Sequence, residues 1–148
     1  MILPNQKFNF LVADSFAIIR CGLRDLLDGR FEGATVILEE NADGFLTSLS
    51  LMRYDVVIVS YEIAREIQMN EFSRALTGFG LYPSLMLFEF GLGRDVVAEF
   101  AEIGFKGVLN KNVSNATIIN VLERMLGKDV GFVYGGYDEL VWITSDGV

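Results

Sequence analysis

Hydrophobic and polar positions follow two spacings that take turns along the chain. Phe8–Ala13 (FNFLVA) is a short apolar run that stops at Asp14, the pattern of a buried strand. Phe16, Ile19, Leu23, Leu26 and Leu27 then fall on one helical face, and Gly29 is expected to end that helix. Ala34–Leu38 is rich in β-formers, and Asn41–Met52 places Phe45, Leu46, Leu49 and Met52 on one side of a helix. Val56–Val59 (VVIV) is β-branched and apolar on both faces, so it predicts a strand covered on both sides. Ala64–Leu76 predicts a ragged helix, and Leu85–Phe88 a further strand. Arg94–Ile103 is a helix with Val96, Val97, Phe100 and Ala101 inward and Gly104 closing it. Gly107–Leu109 is a short strand. After it, Ser114 caps a helix whose Ile118, Ile119, Val121, Leu122, Met125 and Leu126 make a wide apolar face.

Strands alternating with helices imply right-handed crossovers and a parallel sheet covered on both sides. The expected fold is therefore α/β, a flavodoxin-like doubly wound sheet of five strands with helices on both faces. In such sheets, sites gather at the carboxyl ends of the strands. The domain is expected to span 1–127, with 128–148 as a C-terminal extension. Phe132–Tyr134 and Tyr137–Ile143, joined at Gly135–Gly136, suit a hairpin, a strand pair added to the sheet edge, or the start of a linker to an effector domain. An ordered hairpin is favoured, because Phe132, Tyr134, Val141 and Trp142 are poor residues for a solvated linker.

Composition narrows the function classes. The 148 residues, 51% of them apolar, suffice for one ordinary core. No apolar run reaches the ~20 residues needed to cross a bilayer, and MILPNQKFNF lacks the features of a secretory signal. A single cysteine, Cys21, excludes an internal disulfide and makes the cytoplasm the default location. A net charge of −8 with no local basic patch disfavours direct contact with nucleic acid or anionic lipid. The absence of histidine removes the usual catalytic triads and most zinc sites.

The segment FLVADSFAIIRCGLRDLL resembles the first strand and helix of response-regulator receiver domains, especially those of LuxR/NarL-type transcription regulators. RYDVVIVS resembles the third strand, which in that family ends at the phosphorylated aspartate. EFAEIGFKGVLNKNVSNATIINVLERMLGKD resembles the fifth-strand region and last helix, and the likeness runs from Phe8 to Gly127. The resemblance implies a phosphorylation pocket made of an acid pair, an acceptor aspartate, a hydroxyl and a lysine. Asp14 matches the first acid and Lys111 the lysine, but Ser15, Ser60 and Glu89 stand at the other three positions.

These substitutions change the chemistry. A serine without a base is a weak nucleophile, one acid fewer weakens Mg²⁺ binding, and a glutamate at 89 repels an incoming phosphoryl group. Phosphorylation is therefore expected to be lost, with Mg²⁺ weakly held or not at all and no other cofactor or metal. Asp55 lies at the wrong end of its strand and Glu62 on a loop beyond it, so neither replaces the acceptor. Glu89 is instead expected to pair with Lys111, although a solvated pair at the sheet rim would contribute only ~0–1 kcal/mol.

Other features carry less. Cys21 is expected to be a buried, inert thiol. Gly91, Gly93 and Arg94 open a helix after a strand and suggest an anion cradle, but Val96 stands where a third glycine belongs, so an ordinary turn is the stronger reading. Most of the aromatic residues, Phe88, Phe90, Phe100 and Phe105 among them, are expected in the core, with Tyr134, Tyr137 and Trp142 left for an interaction surface or an added layer. The expected function is a degenerate receiver, not an enzyme, that works by homodimerisation or by binding a protein partner without phosphorylation. DNA would be reached only through an additional domain. The alternative is a sensor of a small anionic ligand, or a small α/β enzyme, using Asp14, Ser60, Glu89 and Lys111.

Overall fold

The computed structural model describes residues 5–77, 83–127, 131–135 and 140–144. In chain order the elements are β1 (Asn9–Ala13), α1 (Ala17–Arg30), β2 (Thr35–Glu39), α2 (Ala42–Leu49), β3 (Val56–Val59), α3 (Tyr61–Ala64) and α4 (Met69–Thr77). They continue as β4 (Ser84–Glu89), α5 (Arg94–Ile103), β5 (Gly107–Asn110), α6 (Asn115–Leu126), β6 (Gly131–Gly135) and β7 (Leu140–Thr144). One sheet runs β2-β1-β3-β4-β5-β6-β7, parallel through β6 and antiparallel at the last pair. No helix among the described residues is long and apolar enough to cross a membrane.

Two-sided burial explains why the strands read as unbroken apolar runs. Alternate residues face opposite sides of the pleat. Leu11, Val57, Val59, Leu87 and Val108 meet Phe45, Ile63, Phe72 and Phe100 on one face. Phe10, Val12, Ile58, Met86 and Leu109 meet Leu23, Leu27, Ile118 and Leu122 on the other. α2–α5 supply helical residues to the first layer, and α1 and α6 to the second.

Among the described residues the sheet has seven strands where five were expected, because the tail adds a strand pair to the β5 edge. Val133 of β6 is fully buried and packs in the same layer as α1 and α6, while Phe132 and Tyr134 pack against the opposite layer. Gly107 makes this approach workable: a Cβ there would stand 2.7 Å from both Met125 and Val133 side-chain carbons. Tyr137 and the turn between the strands lie outside the described residues.

The helix expected over Ala64–Leu76 starts only at Met69, as α4; α3 ends at Ala64, where the helix was expected to begin, and residues 65–68 break the two apart. At about 100° per residue, a continuous helix would put Phe72 about 180° from Ile63, facing solvent. The break lets Ile63, Ile67 and Phe72 all enter one core layer. α1 also runs past Gly29 to Arg30, and Phe31 then turns inward, its ring 5.3 Å from that of Phe10 and 5.9 Å from that of Phe8. Cys21 is exposed, not buried, since Leu23 and Leu27 set the inward side of α1.

Candidate functional site

Four neighbouring strands deliver polar side chains to the same edge of the sheet. β1 ends at Ala13 and presents Asp14, β3 ends at Val59 and presents Ser60, β4 ends on Glu89, and β5 ends just before Lys111. Parallel register enforces the convergence: Ala13 lies opposite Val59, and Glu89 opposite Asn110. The ladder continues one step beyond the strands, with Ser60 N–H donating to the Ala13 carbonyl at 2.9 Å and Lys111 N–H to the Glu89 carbonyl at 3.1 Å.

Lys111 is the centre of the site. Its ammonium lies 2.7 Å from Asp14 Oδ2 and 3.5 Å from Glu89 Oε1. The lysine and Asp14 side chains are 1% and 3% exposed, so this ion pair is cut off from water. The expected Glu89 contact is present, but Asp14 is the nearer partner and the more deeply buried one. Phe16 and Phe90 close over the ammonium, each ring centroid 5.6 Å from Nζ, a distance at which cation–π attraction operates. Both rings were expected inside, Phe16 on the inward face of α1 and Phe90 in the core. Both are instead more than half exposed, because they stand at the mouth of the site.

The remaining contacts hold the two carboxylates in place. Asp14 Oδ1 accepts from Phe16 N–H at 2.9 Å, and the Asp14 carbonyl accepts from the Arg20 guanidinium at 2.8 Å. Arg20 is itself 3.7 Å from Glu40. Glu89 Oε1 accepts from Phe90 N–H at 3.0 Å. A buried charge costs several kcal/mol unless it is paired and hydrogen-bonded, and here each of the three charged groups at the centre has a partner.

Ser60 is 2% exposed and is used structurally. It is the N-cap of α3, its hydroxyl accepting a long 3.4 Å hydrogen bond from Ile63 N–H. Ser15 points outward and donates to Glu62 Oε2 at 3.2 Å. Glu62 thus sits on α3, not on a loop, and reaches back to the rim. Asp55 lies at the other end of β3, where Oδ2 accepts from Asn9 N–H at 2.8 Å. Gly91 has φ of +54°, a left-handed turn that favours glycine, and Gly93 caps α5 without a side chain, with an exposed Arg94 following.

This arrangement is a poor fit for Mg²⁺. Octahedral Mg²⁺ needs free carboxylate oxygens, whereas Asp14 gives one oxygen to an ammonium and the other to a backbone N–H. Among the described residues no group of acids, histidines or cysteines is arranged to hold a metal ion. The Ser60 hydroxyl is engaged as an acceptor from Ile63 N–H, and among the described residues no base is hydrogen-bonded to it, so it is not activated as a nucleophile.

Neither a protein-family model nor a curated protein sequence matches the chain. Solved structures do match. The chain superposes on the chemotaxis response regulator CheY4 of Vibrio cholerae with a TM-score of 0.68 and 19% identity, covering 82% of this chain and 100% of that one. A LuxR-family two-component response regulator from Aurantimonas sp. SI85-9A1 gives 0.69 at 18% identity over 83% and 87% of the two chains. The isolated receiver domain of RcsB from Salmonella enterica serovar Typhimurium, in the presence of phosphomimetic BeF3-, gives 0.68 at 15% identity over 82% and 90%. The fold is accordingly that of the CheY-like receiver domains.

Proposed function

We propose that this domain is a receiver-like regulatory module, of the LuxR/NarL type in its motifs, whose pocket is held in one state by its own side chains. The carrying observation is the Lys111 ammonium, buried between Asp14 and Glu89 and covered by two phenyl rings. In a switching receiver the lysine must be available to an arriving phosphoryl group and the acceptor must be a carboxylate. Here the lysine's charge is already matched, and Ser60 caps a helix in the acceptor's place.

Such a domain signals by what it binds and how much of it is present. It passes information through contacts with a second copy or a protein partner, and reaches DNA only through another domain. The Glu89 carboxylate supplies a permanent negative charge beside Lys111, a role that a phosphoryl group fills only transiently.

A thermal-shift titration with Mg²⁺, acetyl phosphate and nucleotides tests this reading. A ligand that binds the native state raises Tm by mass action, so a filled pocket predicts no shift with any of them. Saturable stabilisation lost in Glu89→Ala and Lys111→Ala would instead establish a small-molecule sensor or enzyme at this crevice.

A further inference from the structure

Large apolar side chains left in water gather at one end of the sheet. Among the described residues four are exposed, and three of them, Phe16, Ile18 and Phe90, stand at the carboxyl ends of the strands, around the mouth of the Lys111 site. The fourth, Leu51, precedes β3 at the opposite end. Single exposed apolar residues are ordinary, whereas a group of them marks an interaction surface. Each ring centroid is 5.6 Å from Lys111 Nζ, which puts the two rings within about 11 Å of each other, close to the ~10–12 Å width of one α-helix.

The charges around the rings are acidic. Glu62 is tied to the rim through Ser15, Glu40 through Arg20, and Glu89 lies beside Phe90, whose N–H it accepts. The two cations among them are turned away from solvent. Lys111 is buried against Asp14 and Glu89, and Arg20 is 17% exposed where Glu40 is 70% exposed. Farther out, exposed Arg65 and Arg94 are each followed at once by an exposed acid, Glu66 and Asp95.

We propose that this rim docks a basic, apolar helical segment of a partner protein, with an aliphatic side chain set between Phe16 and Phe90 and with Lys or Arg residues against Glu40 and Glu62. Charge decides the occupant. A second copy would bring the same acids, on a chain of net charge −8, against this rim, and nucleic acid or anionic lipid would bring phosphates. A cationic segment is drawn in by the same field. The rings are the anchors, because aromatic side chains carry much of the binding energy once an apolar group excludes water from them. This contact rests on the regulatory reading above, gives the partner its chemistry, and lies outside the sealed Lys111 pair.

Fluorescence anisotropy on the full chain tests it with a labelled amphipathic helical peptide of leucine and lysine, beside one of leucine and glutamate and one of alanine and lysine. The leucine–lysine peptide is expected to bind, more weakly as salt rises from about 50 to about 300 mM, and about tenfold more weakly to Phe16→Ser and to Phe90→Ser. Combined Glu40→Gln and Glu62→Gln should weaken binding several-fold and flatten its salt dependence, whereas Leu51→Ser should leave it unchanged. Both counterpart peptides should bind about tenfold less or not at all. Where a ring variant loses its native circular dichroism, the glutamine pair, at exposed positions, carries the test. No saturable binding, binding indifferent to the folded ring or glutamine variants, or equal binding of the glutamate peptide overturns the proposal. So does self-association, read by sedimentation, that Phe90→Ser abolishes, since it would give the rim to a second copy. None of these outcomes alters the thermal-shift result at the pocket, so the two readings fail separately.

Discussion

Replacing Lys111 with methionine puts the pocket's electrostatics to a quantitative test. Methionine keeps much of the aliphatic stem and removes the cation, leaving Asp14 buried with only the Phe16 N–H at 2.9 Å and with Glu89 as a like-charged neighbour. Breaking a buried pair by removing one partner typically costs 3–5 kcal/mol, because a charge is left uncompensated. The loss of two cation–π contacts adds about 1 kcal/mol, so Lys111→Met is expected to cost about 4–6 kcal/mol. Asp14→Asn in the same chain removes the stranded charge and should restore all but about 2 kcal/mol, since replacing both partners of a buried pair is often nearly neutral. Glu89→Gln should cost under about 1 kcal/mol, as its contact is longer and its side chain 19% exposed. Urea unfolding followed by far-ultraviolet circular dichroism gives these three values, and Asp14→Asn alone completes the double-mutant cycle that isolates the Asp14–Lys111 coupling. A cost below about 1 kcal/mol for Lys111→Met, with no coupling in the cycle, would show a solvated pair and refute the buried-cage reading.

Other positions make independent predictions. Gly107→Ala should destabilise by about 1–3 kcal/mol through overpacking against Met125 and Val133, and Val133→Ala by about 2 kcal/mol through lost burial, both read by urea unfolding; near-zero effects would detach β6 from the core. Ser114→Ala removes an N-cap that accepts from Thr117 N–H at 3.1 Å and should cost about 1 kcal/mol in the same assay. Tyr54 titrates above its ordinary 10.0, chiefly because burial disfavours the phenolate and secondarily because Glu39 lies nearby. A folded-state pKa raised in this way gives stability that is complete below pH 10 and is lost as pH climbs through the folded value. Tyr54→Phe should therefore flatten the alkaline fall of stability above pH 10, measured by urea midpoints across that range.

The parts of the fold that were legible are those where one physical signal acts alone. Val56–Val59 appears as a strand with the expected bounds because two-sided burial admits only apolar β-branched residues. Arg94–Ile103 keeps its bounds because Gly104 takes a φ of +116° that stops the helix. The break between α3 and α4 was hidden because Ile63, Ile67 and Phe72 are all apolar, and only the shape of the core decides that they share a side. Phe90 and Cys21 misled for the complementary reason: hydrophobic character states what a residue can tolerate, and Phe90 is held at the surface over a lysine.

At the site, the convergence of Asp14, Ser60, Glu89 and Lys111 followed from their places after strands. The order of their pairing did not. Lys111 reaches past Glu89 of the adjacent strand to Asp14 on β1, with β3 and β4 lying between β1 and β5 in the sheet. A choice between two acids of that kind depends on ångström differences in side-chain reach. The covering role of Phe16 was likewise out of sight, since its place in the sequence fits an inward helical position as well as an N-cap.

The central claim is that the pocket's own charges occupy the place a phosphoryl group would take. Incubating the purified domain with Mg²⁺ and acetyl phosphate, then measuring intact mass, tests it most directly. An unchanged mass is the predicted result. The gain of one phosphoryl group, abolished by Ser60→Ala or by Asp14→Asn, would contradict it and show that the site still switches.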